Sequence, residues 1–577
     1  MDALRGLGRW LPGLALLRGP RDGGLRRDAV AGVVLAALLV PQGMAYAELA
    51  GMPPVTGLYA TAVPLAVYFL LGPSRILILG PDSAVSPLVA AAIIPLAAGG
   101  DMAMRVELAG LLALLVGAIM LAGGLARFGF VTELLSMPVR LGYLAGIAVT
   151  VIVAQLPKLF GFSVDAESFI PGVRDFVTGL DETNATALAI GLGSLAVIVG
   201  LRLVAPKVPG VFLAVALATA AVAALGLADD VPVVGSVPSG LPAFGVPDVS
   251  LDDFKALIPA AVGIAFVAFT DTSVLSRSYA GRLNQEVDQN QELAVLGVAN
   301  LATGFFQGFP ISSSSSRTAV AEDIGARSQL AGVTGALVLS VLLIAGTGLV
   351  HDLPVSTLAA VVIVAVLSLI DVGAARRLYS RRRSEFALAM VAFSGVAVLG
   401  VLWGIGIAIG LSLLNFIRRA WRPHDAVLGR VDNLKGYHDI GRYPEARRIP
   451  GLVLYRFDAP LFFANVDHFR ERVRALARSG DVAWIVVAAE PITDIDVTAG
   501  EALGALHDEL EAAGIELAFA ELKDPVRDWL RRYGVDDAIG GNRFFPTIGV
   551  AVAAYLRETG VDWFDWEDRP EQPGAQR

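Results

Sequence analysis

The chain has 577 residues, of which 55% are hydrophobic and only 17% charged, with a net charge of −9 and no cysteine. Its mean hydropathy of +0.64 is too high for a soluble surface, which ordinarily carries about a quarter of charged residues. The missing cysteines exclude a disulfide framework and a thiolate metal site, and the acidic balance without a basic reading motif argues against a nucleic-acid partner.

Apolar segments recur with short breaks from Val30 to Phe416, the pattern of a polytopic α-helical membrane protein whose crossings each need about 20 apolar residues. Residues 1–28 form a cytoplasmic N-terminal segment with Arg18, Arg21, Arg26 and Arg27. Ala45-Tyr46-Ala47 imitates a signal-peptidase site. Further spans follow rather than an exported domain, so 29–47 is read as a first span held by its basic flank and broken at Pro41-Gln42-Gly43. A second span covers 55–71. A short extended stretch, Arg75 to Leu79, then meets Gly80-Pro81-Asp82-Ser83, which opens a small-residue helix to 98. Spans at 106–125, 138–156, 185–203 and 209–227 complete a first half, 29–227.

A polar interval with Asp229, Asp230, Asp248, Asp252 and Asp253 precedes the second half, 257–420. Its first span contains Asp271, and its second ends near Phe306. A hydroxyl run, Ser312 to Ser316 followed by Arg317, leads into a helix from Ser314. Spans near 330–350, 354–370, 385–401 and 403–420 complete about fourteen segments, seven per half. With that even count, Arg127, Arg202, Lys207, Arg277, Arg282, Arg376, Arg377, Arg381 to Arg383, Arg418 and Arg419 fall on the side of the N-terminus. Asp101, Asp165, Glu167, Asp181, Glu182 and Asp352 fall opposite. The positive-inside bias therefore places both termini in the cytoplasm.

The third segment of each half has one grammar: an extended stretch, Gly or Pro, hydroxyls, then a small-residue helix. Paired interrupted segments in two halves point to an inverted repeat with a binding site at the midplane. After Trp421 the composition becomes polar and charged. A linker, 421–449, leads to an α/β domain at 450–560 with strands at Leu452–Phe457, 485–489 and 515–520. Helices alternate with them at 466–478, 498–513 and 525–533. Residues 561–577 are a flexible tail, rich in Pro, Gln and Gly from Glu567.

Several strings together resemble the sulfate permease family, the SulP or SLC26 anion transporters. These are Pro41-Gln42-Gly43-Met44-Ala45-Tyr46-Ala47, Ala50-Gly51-Met52-Pro53-Pro54-Val55-Thr56-Gly57-Leu58-Tyr59, Ser74 to Pro81, Asn290-Gln291-Glu292-Leu293 with Gly297 and Asn300, and the Ser-Arg-Thr break. The C-terminal domain resembles the STAS module of anti-sigma-factor antagonists. The resemblance covers nearly the whole chain. It implies a 7+7 inverted repeat of fourteen transmembrane segments, a core that carries substrate, a gate domain, a homodimer through the STAS domain and gate helices, and an elevator-like movement. A bacterial plasma-membrane location follows from the same resemblance.

A helix that begins in mid-membrane leaves free N–H groups and about half a positive charge at its N-terminus, and such ends bind anions. If Asp82-Ser83 and Ser314-Ser315-Ser316 open two facing half-helices, their dipoles converge, the hydroxyls replace a hydration shell, and Arg317 adds a full charge with a planar fork. The plainer reading of a serine run is a polar loop outside the membrane, which the tight apolar flanks disfavour. The resemblance puts Ser316 and Arg317 at the anion site. Gln42 and Tyr46 share a helix face: either Gln42 bonds an oxyanion with Tyr46 as a wall, or Gln42 repairs a proline kink. Asp271, a carboxylate costing about 2.5–3.5 kcal/mol at the bilayer centre, reads as a proton or sodium ligand, or else as a cytoplasmic helix end. Asp82 departs from the aromatic or aliphatic residue of many relatives. It either caps its helix or titrates as a second coupling carboxylate.

Asp496-Val497-Thr498-Ala499 departs from the Asp-Ser-Ser/Thr-Gly of anti-sigma antagonists, so their phosphorylated serine is replaced by Val497, and Thr498 reads as an N-cap. The five histidines, His351, His424, His438, His468 and His507, lie outside the spans without metal-like clustering. The expectation is a secondary active transporter of a small inorganic anion, sulfate first. Proton or sodium is its only auxiliary ligand, and it has no cofactor and no enzymatic activity. Bicarbonate or dicarboxylate transport, or an anion channel, are the alternatives.

Overall fold

The computed structural model describes residues 24–97, 101–130, 136–164, 169–205, 208–282 and 285–566. Arg18, Arg21, Asp165, Glu167, Lys207 and the stretch from Glu567 fall outside these residues. The chain divides into two compact units between Leu413 and Leu414.

The first unit is a polytopic helical membrane domain. In chain order it contains α1 (Gly24–Leu49), α2 (Pro54–Leu71), β1 (Leu79–Gly80), α3 (Ser86–Ile93), α4 (Met102–Leu125), α5 (Met137–Phe160), α6 (Phe169–Thr178), α7 (Ala185–Val204) and α8 (Gly210–Leu225). The second half follows with α9 (Leu251–Arg282), α10 (Gln289–Phe305), β2 (Ser312–Ser313), α11 (Ser315–Ile324), α12 (Leu330–Ala345), α13 (Val355–Leu367), α14 (Val372–Arg381), α15 (Arg383–Leu399) and α16 (Val401–Trp421). Setting aside the short connectors α6 and α14, each half supplies seven membrane elements, with a strand-led half-helix as the third. This is the 7+7 inverted repeat.

Packing sorts the helices by their position in the repeat. The first four membrane elements of each half, α1–α4 and α9–α12, pack on one another, whereas α5, α7, α8, α13 and α15 form a second bundle. Small residues permit the close approaches on which membrane helices depend. On α4, Gly110, Gly117 and Gly124 recur every seven residues and face Gly304, Leu301 and Ala294 of α10; a Cβ at Gly117 or Gly124 would lie 2.6 Å from backbone nitrogen.

Pro41 does not break the first span as expected, because α1 runs unbroken through it. Gly43 packs on Gly57 of α2, where a Cβ at Gly43 would lie 2.9 Å from the Gly57 carbonyl. The Pro-Gln-Gly string is therefore a helix-contact device as well as a wall. The half-helix expected over 83–98 is shorter, since Ser83 to Val85 form a turn and α3 ends at Ile93. The second half begins at Leu251, six residues ahead of the expected 257, because Asp252 and Asp253 sit favourably in the first turn of α9.

β1 and β2 pair antiparallel with Leu79 opposite Ser313 and Gly80 opposite Ser312. Exposed backbone is not tolerated in hydrocarbon, and here bonds across the two halves take up irregular backbone groups. The Ser314 N–H donates to Ile78 O at 3.0 Å, Ile78 N–H to Thr318 Oγ1 at 3.1 Å, and Ser313 N–H to Thr272 Oγ1 at 3.2 Å. The Gln329 amide donates to both Ser74 O and Leu77 O at 2.9 Å. Asn300, fully buried, accepts from Ile311 N–H at 2.9 Å and donates to Ile311 O at 3.2 Å and Leu296 O at 2.9 Å. Asn300→Leu strands both polar groups of Ile311. It is expected to destabilise the protein by about 2–4 kcal/mol, read as a lower melting midpoint in detergent.

The second unit is an α/β domain. It contains β3 (Asp425–Arg430), β4 (Tyr437–Asp439), β5 (Leu452–Phe457), α17 (Val466–Ala477), β6 (Trp484–Ala488), α18 (Val497–Ala512), β7 (Glu516–Ala520), α19 (Asp524–Arg532), α20 (Val535–Ile539), β8 (Phe544–Phe545) and α21 (Ile548–Thr559). The sheet order is β4-β3-β5-β6-β7-β8, antiparallel at β4-β3-β5 and parallel beyond. One face packs α17 to α20 through Phe469, Leu503 and Leu530, and the other packs α21 through Tyr555.

The stretch 421–449, expected as a linker, instead supplies β3 and β4. Polar residues there obscure β3, which buries Ala426 and Leu428 on one face of the sheet and Val427 on the other. Part of the expected flexible tail is also anchored, because Arg430 pairs with Asp565 at 2.8 Å and Arg447 stacks on Trp563 at 4.8 Å. Asp496, rather than Thr498, caps α18. Its extended backbone aims the carboxylate at Ala499 N–H, 2.8 Å away, while Thr498 is exposed in the first turn.

Candidate anion site between two half-helices

A cavity of about 890 Å³ lies between the two bundles of the membrane unit, within the size range of small-ligand sites. Its polar wall is built from both halves: Gln42 and Tyr46 on α1, Asp82 and Ser83 before α3, Asp271 on α9, and Ser313, Ser315 and Ser316 at β2 and α11. The pairing of β1 with β2 brings the two half-helices together at their starts. Ser86 N–H donates to Asp82 O at 2.9 Å, and the Asp82 carboxylate accepts from Ala84 N–H at 3.0 Å. Asp82 thus caps its turn while also lining the cavity. Ser315 and Ser316 are exposed to the cavity.

Two expected site residues stand elsewhere. Ser314 is turned away from the cavity wall: its hydroxyl caps α11 at Arg317 N–H and lies 3.2 Å from Ser316 Oγ. Its extended backbone is the N-cap conformation, and the neighbouring serines take the wall. Arg317 is fully buried behind that wall. One guanidinium nitrogen donates to Pro81 O, and Gly80 makes room for another, since a Cβ there would lie 2.6 Å from Nη1. Arg317 Nε and Nη1 have no hydrogen-bond partner among the described residues. Neither do Gln42 Oε1 and Ser313 Oγ. Buried polar atoms are nearly always paired, and this cluster has donors and acceptors that the described residues leave open.

Sequence reasoning missed three features. Ser313 joins the wall because strand alternation points it there. Arg140, at the start of α5, lines the cavity and reaches Asp271, with Nη2 2.9 Å from Oδ1. An arginine near a span end reads as a flank, so only its position two residues inside the proline-started helix hinted otherwise. A further carboxylate besides Asp82 and Asp271, Glu292, is fully buried. It accepts from Tyr68 O–H at 2.6 Å and Ser276 O–H at 2.7 Å, tying α2, α9 and α10 together away from the cavity lining. Among the described residues no group of three or more His, Cys, Asp or Glu is arranged to hold a metal ion.

A family model described as the sulfate permease family matches residues 25–392, and one for the STAS domain matches 443–551. The chain belongs to the sulfate permease family. A probable sulfate transporter of Mycobacterium tuberculosis is 44% identical over 551 residues, spanning 95% of this chain and 98% of that one. Human solute carrier family 26 member 6 is 34% identical over 490 residues, 81% of this chain and 64% of that one. Among solved structures, murine solute carrier 26 family member A9, described as an anion transporter in the inward-facing state, superposes with a TM-score of 0.88 at 24% identity. That match covers 95% of this chain and 94% of that one. The transmembrane domain of the cyanobacterial bicarbonate transporter BicA gives 0.58 at 21% identity, over 68% of this chain and 99% of that one. These structural likenesses fix the permease fold, and the sequence relatives fix the family.

Proposed function

We propose that this permease is a secondary active transporter of a small inorganic anion, sulfate first, coupled to protons or sodium. The observation that carries this reading is the unpartnered polar cluster of Arg317, Gln42 and Ser313 beside a cavity where two half-helix N-termini meet. Dipoles, hydroxyls and a guanidinium attract an anion, while Asp82 and Asp271 on the same wall oppose it unless a cation neutralises them. The relatives' names as sulfate transporters support sulfate as the anion. The family's work is transport rather than catalysis.

In this reading, α1–α4 and α9–α12 form a core that slides against the other bundle, carrying the site across the membrane. Arg202, Ser368 and Leu369 line one end of the cavity, on the side that the arginine bias assigns to the cytoplasm, which supports an inward-open arrangement. Both termini are then cytoplasmic in a bacterial plasma membrane, and the protein works as a homodimer through gate helices and the STAS domain.

The test is radiolabelled sulfate uptake into proteoliposomes, competed by bicarbonate, succinate and chloride. Uptake is expected to saturate and to rise with external acid or sodium. Asp82→Asn and Asp271→Asn are each expected to blunt that stimulation. Wild-type uptake indifferent to both cations would remove the coupling from this reading.

A further inference from the structure

Arg140 and Asp271 come from opposite sides of the cavity: Arg140 from α5 of the second bundle, Asp271 from α9 of the first. Their side chains are 29% and 14% exposed, and Nη2 lies 2.9 Å from Oδ1. The pair is nevertheless incomplete. Asp271 Oδ1 and Arg140 Nε both lack a hydrogen-bond partner among the described residues, so the contact has charge proximity without aligned hydrogen bonds. A partly desolvated ion pair of this kind gains little unless its remaining donors and acceptors are satisfied. Arg140 also presents a planar fork able to hold two oxygens of an oxyanion.

We propose that Arg140 is a shared cation of the transport cycle. It pairs with Asp271 while that carboxylate is ionised, and it is released to the transported anion when Asp271 takes a proton or a sodium ion. This rests on the anion-transport reading above and adds a residue and a coupling route to it. The competition is direct, because one guanidinium cannot serve a carboxylate and an incoming oxyanion with the same nitrogens. By reciprocity, a cation at Asp271 strengthens anion binding by the same factor by which the anion strengthens cation binding. The exchange also changes what joins the bundles, from a contact between protein groups to one mediated by the anion. The other charged groups lining the cavity are Asp82 before α3, Arg202 on α7 and Asp323 on α11. Arg317 stands behind the wall, and Tyr143, one turn along α5, has a buried hydroxyl without a partner. Tyr143 faces both Arg140 and Asp271, whereas Asp82, Arg202, Asp323 and Arg317 form no ion pair with either among the described residues, so these four set a background field that the Arg140–Asp271 exchange acts against.

The experiment measures KM and maximal rate for radiolabelled sulfate in proteoliposomes of the full chain, across an acid-to-neutral pH series with and without sodium. In wild type, KM is expected to rise as pH rises without sodium, since the ionised Asp271 then holds Arg140. Asp271→Asn is expected to give a low KM that no longer responds to pH or sodium. Arg140→Gln is expected to raise KM about tenfold, the loss of a charge-assisted contact, and to remove the response as well. The double variant is expected to match Arg140→Gln alone, because Asp271 acts only through Arg140. Arg140→Lys, which keeps the charge and serves if the glutamine variant does not fold, is expected to raise KM while retaining the pH response. A wild-type KM and pH response in Arg140→Gln, a wild-type KM without pH response in Arg140→Lys, or a double variant that multiplies the single effects overturns the proposal alone. No saturable uptake of sulfate, bicarbonate, succinate or chloride by wild type overturns the anion-transport reading and this proposal with it.

Discussion

Arg317→Met is expected to cut sulfate uptake by about a hundredfold or more while leaving the melting midpoint unchanged or raised. Arg317 is fully buried and makes no ion pair among the described residues. Among the described residues its guanidinium donates one hydrogen bond, to the Pro81 carbonyl, so Nε and Nη1 are left for something that enters. Holding a guanidinium in that state costs several kcal/mol, a burden without purpose for the fold alone. Methionine fills much of the volume and removes the unpaired charge, which is why stability is not expected to fall. The anion, by contrast, loses the full positive charge fixed directly behind the serine wall, acting where low dielectric magnifies it. Arg317→Lys is expected to fail nearly as badly, because a compact ammonium lacks the rigid planar fork that holds Pro81 O while aiming its other donors in fixed directions. Uptake within about threefold of wild type in the methionine variant would remove Arg317 from the site.

The membrane architecture was legible because its signals are local. Apolar run lengths, loop arginines and the paired Gly/Pro interruptions each speak through neighbouring residues, and the seven-plus-seven arrangement follows from them. Asp82, Asp271 and Gln42 stood out because a polar group inside an apolar run is conspicuous, Ser316 because of the family resemblance, and all four line the cavity. What was not legible depends on pairing across the chain. Which of five consecutive serines faces the cavity is set by the register of β2 against β1, where Ser313 opposes Leu79, and identical residues carry no mark of register. Ser314 therefore could not be told from Ser313. Arg140 was missed for a related reason: its meaning depends on Asp271, distant in sequence, whereas its local context is that of an ordinary basic flank. In the C-terminal unit, β3 escaped notice because its apolar run, Ala426 to Leu428, is short and flanked by charged residues, and β4 because it is a three-residue polar edge strand. The parallel core strands β5, β6 and β7 are continuous apolar runs that announce themselves.

Gly80→Ala is expected both to lower the melting midpoint and to abolish uptake, and the two losses have separable causes. The Gly80 backbone has φ of +149°, a conformation that costs any residue with a side chain about 1–3 kcal/mol. The new Cβ would also stand 2.6 Å from Arg317 Nη1, too close for the guanidinium to keep its place against Pro81. Because Gly80 is opposite Ser312 in the short ladder, a shift there moves the start of α11 as well as the arginine. Combining Gly80→Ala with Arg317→Met removes the steric part but not the backbone strain. The double variant is therefore expected to recover part of the lost midpoint, a favourable coupling between neighbours, and none of the uptake. If the melting effects of the two substitutions simply add, the guanidinium does not press on Gly80. If the single alanine variant transports normally, the close approach of Arg317 to the β1 turn is not needed for transport.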